Sequence, residues 1–151
     1  MRKRTLFLIA VLLLPLASGL AVVQKDDPKC KDHPLFPTRI PDSWIRSCDQ
    51  KQFDAYNFTV AKGKKETVEG QLWKISYYPQ ADATSKPSEL QIQRNYENAV
   101  QKLGGMVVYS EKGLSTLKLV KDGKEIWTEV RAEFTGKYGL CIVQKEAMQQ
   151  D

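Results

Sequence analysis

"LSTLKLVKDGKEIWTEV", residues 114–130, carries the register of a β-sheet in its own turn. Asp122-Gly123 between two strand-like runs is the two-residue signature of a type I′ hairpin, whose central positions both need a positive φ. That turn pairs Lys121 with Lys124. Leu119 then faces Ile126, Leu117 faces Thr128 and Ser115 faces Val130 on one inner face. Lys118 and Trp127 face each other on the outside, within reach of a cation–π contact.

Downstream, residues 138–145 form a last strand, with Tyr138, Leu140 and Ile142 on one face and Cys141 and Val143 on the other. Upstream, residues 106–109 form a short apolar strand, and before it the period becomes helical. Ser85 or Ser88 can cap this helix, Pro87 suits its first turn and Glu89 its positive dipole end. Ile92, Tyr96, Ala99 and Leu103 recur at helical spacing, and Gly104-Gly105 supplies the stop. The opposite face, Gln91, Arg94, Glu97, Asn98 and Gln101, is polar, so the helix is expected to lie on a sheet and to need no second layer. Earlier still, Tyr56, Phe58 and Val60 alternate with polar or small residues, Lys62-Gly63-Lys64 turns the chain, and Trp73, Ile75 and Tyr77 share one face. Gly70 inside that second strand marks a bulge, because glycine otherwise only weakens a ladder. Residues 79–86 are a polar connector. The expected fold class is α+β: an antiparallel β-sheet with one amphipathic helix packed on it, order about β-β-α-β-β-β-β, preceded by a disulfide-closed N-terminal arm.

The N-terminus has the pattern of a secretory signal peptide. Arg2-Lys3-Arg4 is its basic head, residues 6–16 its apolar run and Gly19-Leu20-Ala21 its small-x-small cleavage site. The run is shorter than the roughly 20 residues of a membrane span. No basic stop-transfer flank follows it, and no cysteine that could take a lipid. The expected organisation is a signal peptide at 1–21, a proline-rich arm at 22–52 and an α+β domain at 53–148. The expected location is the periplasm or the outer membrane, with no transmembrane span in the mature chain. The formal net charge is +5, but the three basic residues of the leader go with it, leaving 20 basic against 18 acidic residues, a net +2. Scattered lysines interleaved with acids are a solvated surface, and nucleic acid is not an expected partner.

Three cysteines in an exported chain suggest one disulfide and one remaining thiol. Cys30 and Cys48 bracket three prolines and the only histidine, in a stretch with few strands of its own. A crosslink there stabilises by roughly 3 kcal/mol in the chain-entropy model. Cys141 reads as a small hydrophobe of the last strand, the alternatives being a bond to Cys30, to Cys48 or to another chain.

Motifs of chemistry are few. The sequence has no glycine-rich phosphate loop, Cys-x-x-Cys, His-Glu-x-x-His or Gly-x-Ser-x-Gly. Ser115-x-x-Lys118 lies on a strand, where residues three apart point to opposite faces. His33 beside Asp32 is one half of a catalytic or metal pair with no second half in sight, and Asp32-His33-Pro34 reads as a turn. Asn57-Phe58-Thr59 is a formal glycosylation sequon that strand placement and a bacterial-type leader make a chance match. No catalytic, metal or cofactor-binding residues are expected, and no cofactor.

"CKDHPLFPTRIPDSWIRSC" with "KQFDAYNFTV", "VEGQLWKISYYPQ", "LQIQRNYENAVQKLGG" and "TLKLVKDGKEIWTEV" resembles the N-terminal region of OmpA-family envelope proteins of Gram-negative bacteria. There a module of uncharacterised function precedes an OmpA-like peptidoglycan-associating domain. The resemblance spans about residues 30–148. Its most specific pieces are Cys-Lys-Asp-His-Pro-Leu at 30–35, Arg94-Asn95-Tyr96-Glu97 and Lys121-Asp122-Gly123-Lys124, none with a catalytic role to carry over. It implies a Cys30–Cys48 disulfide, because both match cysteine positions of the family, whereas Cys141 falls at a position expected to hold another residue. In the family the chain runs on from a segment like residues 144–148 into the OmpA-like domain, while this sequence ends at Asp151. Cell-wall binding is therefore not carried over by analogy. The expectation is an exported, non-enzymatic envelope module that binds or positions an envelope protein or cell-wall component. The alternatives are a periplasmic carrier of a small or lipid ligand, held between helix and sheet, and a hydrolase using His33.

Overall fold

The computed structural model describes residues 19–148 and residue 150, so all but the last three residues of the expected signal peptide lie outside the described residues. Six strands and one helix follow in the order β1 (Ser43–Ala61), β2 (Lys64–Pro79), α1 (Glu89–Lys102), β3 (Met106–Glu111), β4 (Leu114–Lys121), β5 (Lys124–Ala132) and β6 (Tyr138–Lys145). All pairings are antiparallel, in the spatial order β1-β2-β6-β5-β4-β3. The chain is thus an α+β fold with the expected element order, and β6 returns to lie between β2 and β5.

The β4–β5 turn sets the register expected of it. Asp122 and Gly123 have φ of 51° and 74°, and Lys121↔Lys124, Leu119↔Ile126, Leu117↔Thr128 and Ser115↔Val130 are the observed partners. Ser88 caps the helix, its Oγ accepting from the Gln91 backbone N–H at 3.1 Å. Ile92, Tyr96 and Val100 are the apolar residues it buries. Leu103, expected on that stripe, is instead the C-cap and 48 % exposed. Gly105 lets the chain turn tightly beneath the helix, since a Cβ there would lie 2.4 Å from Val100 Cγ1.

The polar face of the helix is not wholly solvated. Gln93 and Glu97 are buried against β3 and β4. Glu97 Oε1 accepts from Ser115 Oγ at 2.7 Å and Ser110 Oγ at 3.0 Å, and Arg94 caps the other oxygen. Gln93 donates to the Leu114 carbonyl at 3.0 Å and accepts from the Gly113 N–H at 3.0 Å. With every polar atom partnered, this contact fastens the helix where an apolar pair would only fill space.

The N-terminal arm differs from the expectation at its boundary. β1 begins at Ser43, so Cys48 lies on a paired strand opposite Ile75 and the stretch 43–52 belongs to the sheet. Residues before it are not a separate appendage. Leu35, Phe36 and Ile40 are buried in the same core as the helix, with Phe36 edge-on to Tyr96 at 5.2 Å. Arm and helix together cover the first face of the sheet. The Cys30–Cys48 disulfide closes the arm onto β1, and Cys141 is free and buried.

The second face is covered too, which the sequence reading did not anticipate. β6 pairs with β2 only from Gly70 to Tyr77, so the far half of the β1–β2 hairpin runs on unsupported. Its register with β1 slips between Lys51 and Asp54, opposite Gly70, and beyond this bulge β1 comes into contact with β3 and β4. Phe58 and Val68 of that far half pack with Leu72, Trp127, Cys141 and Val143 as a second core. Trp127, expected outside, is therefore only 2 % exposed. Its Lys118 partner keeps the expected cation–π position, 5.1 Å from the ring centroid.

Two stability tests follow from this arrangement. A Cβ on Gly70 would sit 1.9 Å from the Gln144 carbonyl oxygen, so Gly70→Ala is expected to lower the denaturant midpoint. The size expected is that of an overpacked core, about 1–3 kcal/mol; an unchanged midpoint would contradict the close crossing of β2 and β6. Replacing Cys30 and Cys48 together by alanine is expected to cost roughly 3 kcal/mol under oxidising conditions, and Cys141→Ala distinctly less.

Candidate functional site

The residues singled out from sequence meet at one place, the seam where the arm lies across the sheet. Arg39 anchors the arm. Its guanidinium makes a two-toothed contact with Asp26 at 2.8 and 2.9 Å, and the same fork reaches Asp32. The hydrogen bonds from Arg39, with a further one from the Ile45 N–H, hold the Asp26 carboxyl below its ordinary value against the opposing effect of burial. Tyr77 of β2 donates to the other oxygen of Asp32 at 2.8 Å and stacks on Tyr138, with ring centroids 4.6 Å apart. Tyr96 of the helix donates to the Tyr138 hydroxyl at 3.2 Å, so hydrogen bonds and one ring stack tie arm, helix and sheet together.

His33 sits at the middle of this seam, 8 % exposed and edge-on to Trp73 at 4.6 Å. Its Nδ1 accepts from the Leu35 N–H at 3.1 Å, the turn contact that Asp32-His33-Pro34 suggested. Burial, with the positive charge of Lys121 nearby, pushes its pKa down to about 4, so the ring is neutral at physiological pH. Asp32 is engaged with Arg39 and Tyr77, not with His33. The geometry makes His33 part of a wall.

On either side of the His33–Trp73 contact the seam opens into a cleft. One, of about 390 Å³, runs between Pro34 and the β4–β5 turn and is bordered by Lys121, Asp122 and Lys124. The other, of about 400 Å³, lies beside the disulfide and is bordered by Lys29, Lys31 and Asp49. Four lysines thus rim the two partly apolar clefts. The helix–sheet contact, by comparison, is filled by Ile92, Tyr96 and Val100. Ser115 and Lys118 point to opposite faces as expected, Ser115 to Glu97 and Lys118 to Trp127.

A second constellation, on the other face, escaped the sequence reading. β5 carries Trp127, Glu129 and Arg131 on that face, and Glu129 is paired across strands with Thr116 and Cys141, and Cys141 with Lys74. The far half of the hairpin brings Tyr56 over this row, its hydroxyl donating to Glu129 Oε1 at 2.7 Å. Burial, then the bond to Glu129, raises the Tyr56 pKa to about 12, and burial raises the Cys141 thiol to about 12. A charged residue at an outward position of an antiparallel strand is ordinary, so no local signal marks Glu129. Only the folding-over of the hairpin buries it.

Among the described residues no helix is long and apolar enough to cross a membrane, and no group of three His, Cys, Asp or Glu is placed to hold a metal ion. Compared with known proteins, the chain matches no family model and no curated protein.

The buried histidine has a pH signature. Its depressed pKa means the unfolded chain binds the proton first, so its contribution is complete above about 6.5 and is lost as pH falls toward about 4. The expected outcome is a denaturant midpoint that declines below pH 6.5, before the carboxylates held low by their partners begin to protonate. His33→Asn keeps an acceptor for the N–H two residues on and removes the titration. This variant is expected to flatten the decline, and an unaltered slope would assign it to another group.

Proposed function

We propose that this chain is an exported, non-enzymatic module of the bacterial cell envelope that holds an anionic cell-wall polymer along the arm–sheet seam. The observation that carries this reading is the seam itself, two clefts on either side of the His33–Trp73 contact, rimmed by Lys29, Lys31, Lys121 and Lys124. Asp26 and Asp32 share Arg39, Asp49 lies 3.8 Å from Lys51, Lys124 lies 3.4 Å from Glu146 and Asp122 borders the turn, so Lys29, Lys31 and Lys121 leave the rim a small excess of positive charge. Such a rim favours carboxylate-bearing chains, by long-range attraction that salt screens and by contact with partly apolar walls.

Three further features support export. The N-terminal pattern is that of a signal peptide, the arm is closed by a disulfide of the kind that persists in oxidising compartments, and the resemblance to the N-terminal module of OmpA-family proteins points to the same envelope. A wall-binding role for the seam does not borrow the peptidoglycan-associating domain of that family. It rests on residues 29–50 and 71–126 of this chain.

Co-sedimentation of the purified protein with isolated peptidoglycan tests the reading. Binding is expected to fall with rising salt and to weaken about tenfold in Lys31→Glu/Lys121→Glu, roughly the 1.4 kcal/mol of two partly exposed ion pairs. No sedimentation with peptidoglycan, or capture by anionic lipid vesicles alone, overturns it. Export is tested by the intact mass of protein recovered from the envelope, denatured but not reduced. The expected chain begins near Val22, with one alkylatable thiol before reduction and three after it.

A further inference from the structure

His33 has one ring nitrogen engaged and one to spare. Nδ1 accepts from the Leu35 N–H at 3.1 Å, so in the neutral ring Nε2 carries the hydrogen and is a donor. No acceptor group among the described residues takes that hydrogen, and the neighbouring ring of Trp73 offers at most a weak one. Nor is Nε2 sealed in the core. Among the described residues, the buried side-chain nitrogens and oxygens left without a partner belong to Thr116, Thr128 and Glu129, so the spare nitrogen of His33 keeps access to solvent. The ring as a whole is only 8 % exposed and borders both clefts of the seam, so cleft space is what its donor meets.

The charges around this donor differ on its two sides. Toward the β4–β5 turn stands Lys121, exposed and close enough for its charge to act on the ring. Its turn neighbour Lys124 lies 3.4 Å from Glu146, whereas Lys121 has no ion-pair partner among the described residues. Asp122 is the acid bordering that cleft. On the side of the disulfide, Lys29 and Lys31 share the border with Asp49, and Asp32 is held by Arg39 and Tyr77. A fixed N–H donor and a free ammonium therefore border one cleft, of about 390 Å³, with apolar walls from Pro34, Leu35, Trp73 and Ile126. Two donors match the two oxygens of a carboxylate, and a single negative charge suits this small positive excess better than a double one.

We propose that the polymer read above as the ligand of the seam docks one carboxylate in this cleft, one oxygen accepting from His33 Nε2–H and the other from the Lys121 ammonium, a seat that rests on that reading for the identity of its ligand. A carboxylate at Nε2 favours the imidazolium, the reverse of what burial and Lys121 do to the empty site, so binding takes up a proton. With the pKa of His33 higher in the complex than in the free protein, affinity rises as pH falls. Lysines alone, charged throughout this range, confer no such dependence.

His33 is the only histidine of the chain, so its ring nitrogens give one pair of signals in nitrogen NMR. The probe is glucuronate, a sugar with one carboxylate, and glucose is the uncharged control. The expected result is a saturable movement of the Nε2 signal with glucuronate and none with glucose, the titration midpoint of the ring rising from about 4 to above about 5. Affinity is expected to grow about threefold or more between about pH 7 and pH 5. Lys121→Gln is expected to weaken glucuronate about tenfold, and Lys31→Gln, on the other cleft, distinctly less. His33→Asn keeps an acceptor for the Leu35 N–H and is expected to remove the pH dependence of binding, which a purely structural histidine would leave in place. An unmoved Nε2 signal, or equal losses from the two lysine variants, overturns the proposal. Co-sedimentation with peptidoglycan that leaves His33 unmoved overturns this seat and spares the seam reading. A glucuronate response without co-sedimentation upholds the seat and removes the polymer as its ligand.

Discussion

The structure depends on a mismatch of strand lengths. β1 and β2 run 19 and 16 residues, while β6, the next strand of the sheet, has 8. A hairpin that outruns its neighbour has unpaired edges and an apolar face with nothing beneath it, and both are costly in water. Bending resolves this. The bulge opposite Gly70 re-aims the far half of the hairpin, and the close approach of the β6 end to the Gly70 backbone is sterically open only to glycine. The Glu146 N–H donates to the Glu69 carbonyl at 3.1 Å just beyond the last β2–β6 pair, holding the bend from the other side. One sheet thereby acquires two covered faces.

Each face then carries a different kind of contact. On the first, the arm and the helix share a core fastened by hydrogen bonds from Asp26 and Asp32 through Arg39 to Tyr77, a ring stack from Tyr77 to Tyr138, and a hydrogen bond from Tyr96 to Tyr138. The disulfide ties the arm to β1 beside one of the two clefts at His33. On the second face the cover is a hairpin tip with a smaller apolar core, and it closes over a row of polar residues that a sheet facing water would leave solvated.

The local features were legible in the residues. Asp122-Gly123 determined the β4–β5 partners one by one, because a two-residue turn with two positive φ angles permits a single register. Ser88, one of two serines able to cap, and Gly104 bound the helix for equally local reasons. Where sequence and structure part, the cause is shared. Trp127 and Glu97 each lie on the polar side of their own element, yet each is buried by a segment distant in sequence. Leu103 keeps the helical period but is exposed, because the helix ends one residue before it.

Alternation, capping and turn chemistry act over a few residues, so the sequence by itself determined the element types and order and the β4–β5 register, and it offered Cys30–Cys48 as the crosslink. What covers each face is a property of residues tens of positions apart. Only the tertiary structure decided that Tyr56 reaches Glu129, that His33 lies against Trp73 in a lysine-rimmed seam, and that Lys74, Arg131 and a buried carboxylate surround one cleft. The physical reason is that burial and charge placement depend on which surfaces meet, and a strand's alternation shows two faces without saying what will lie on either.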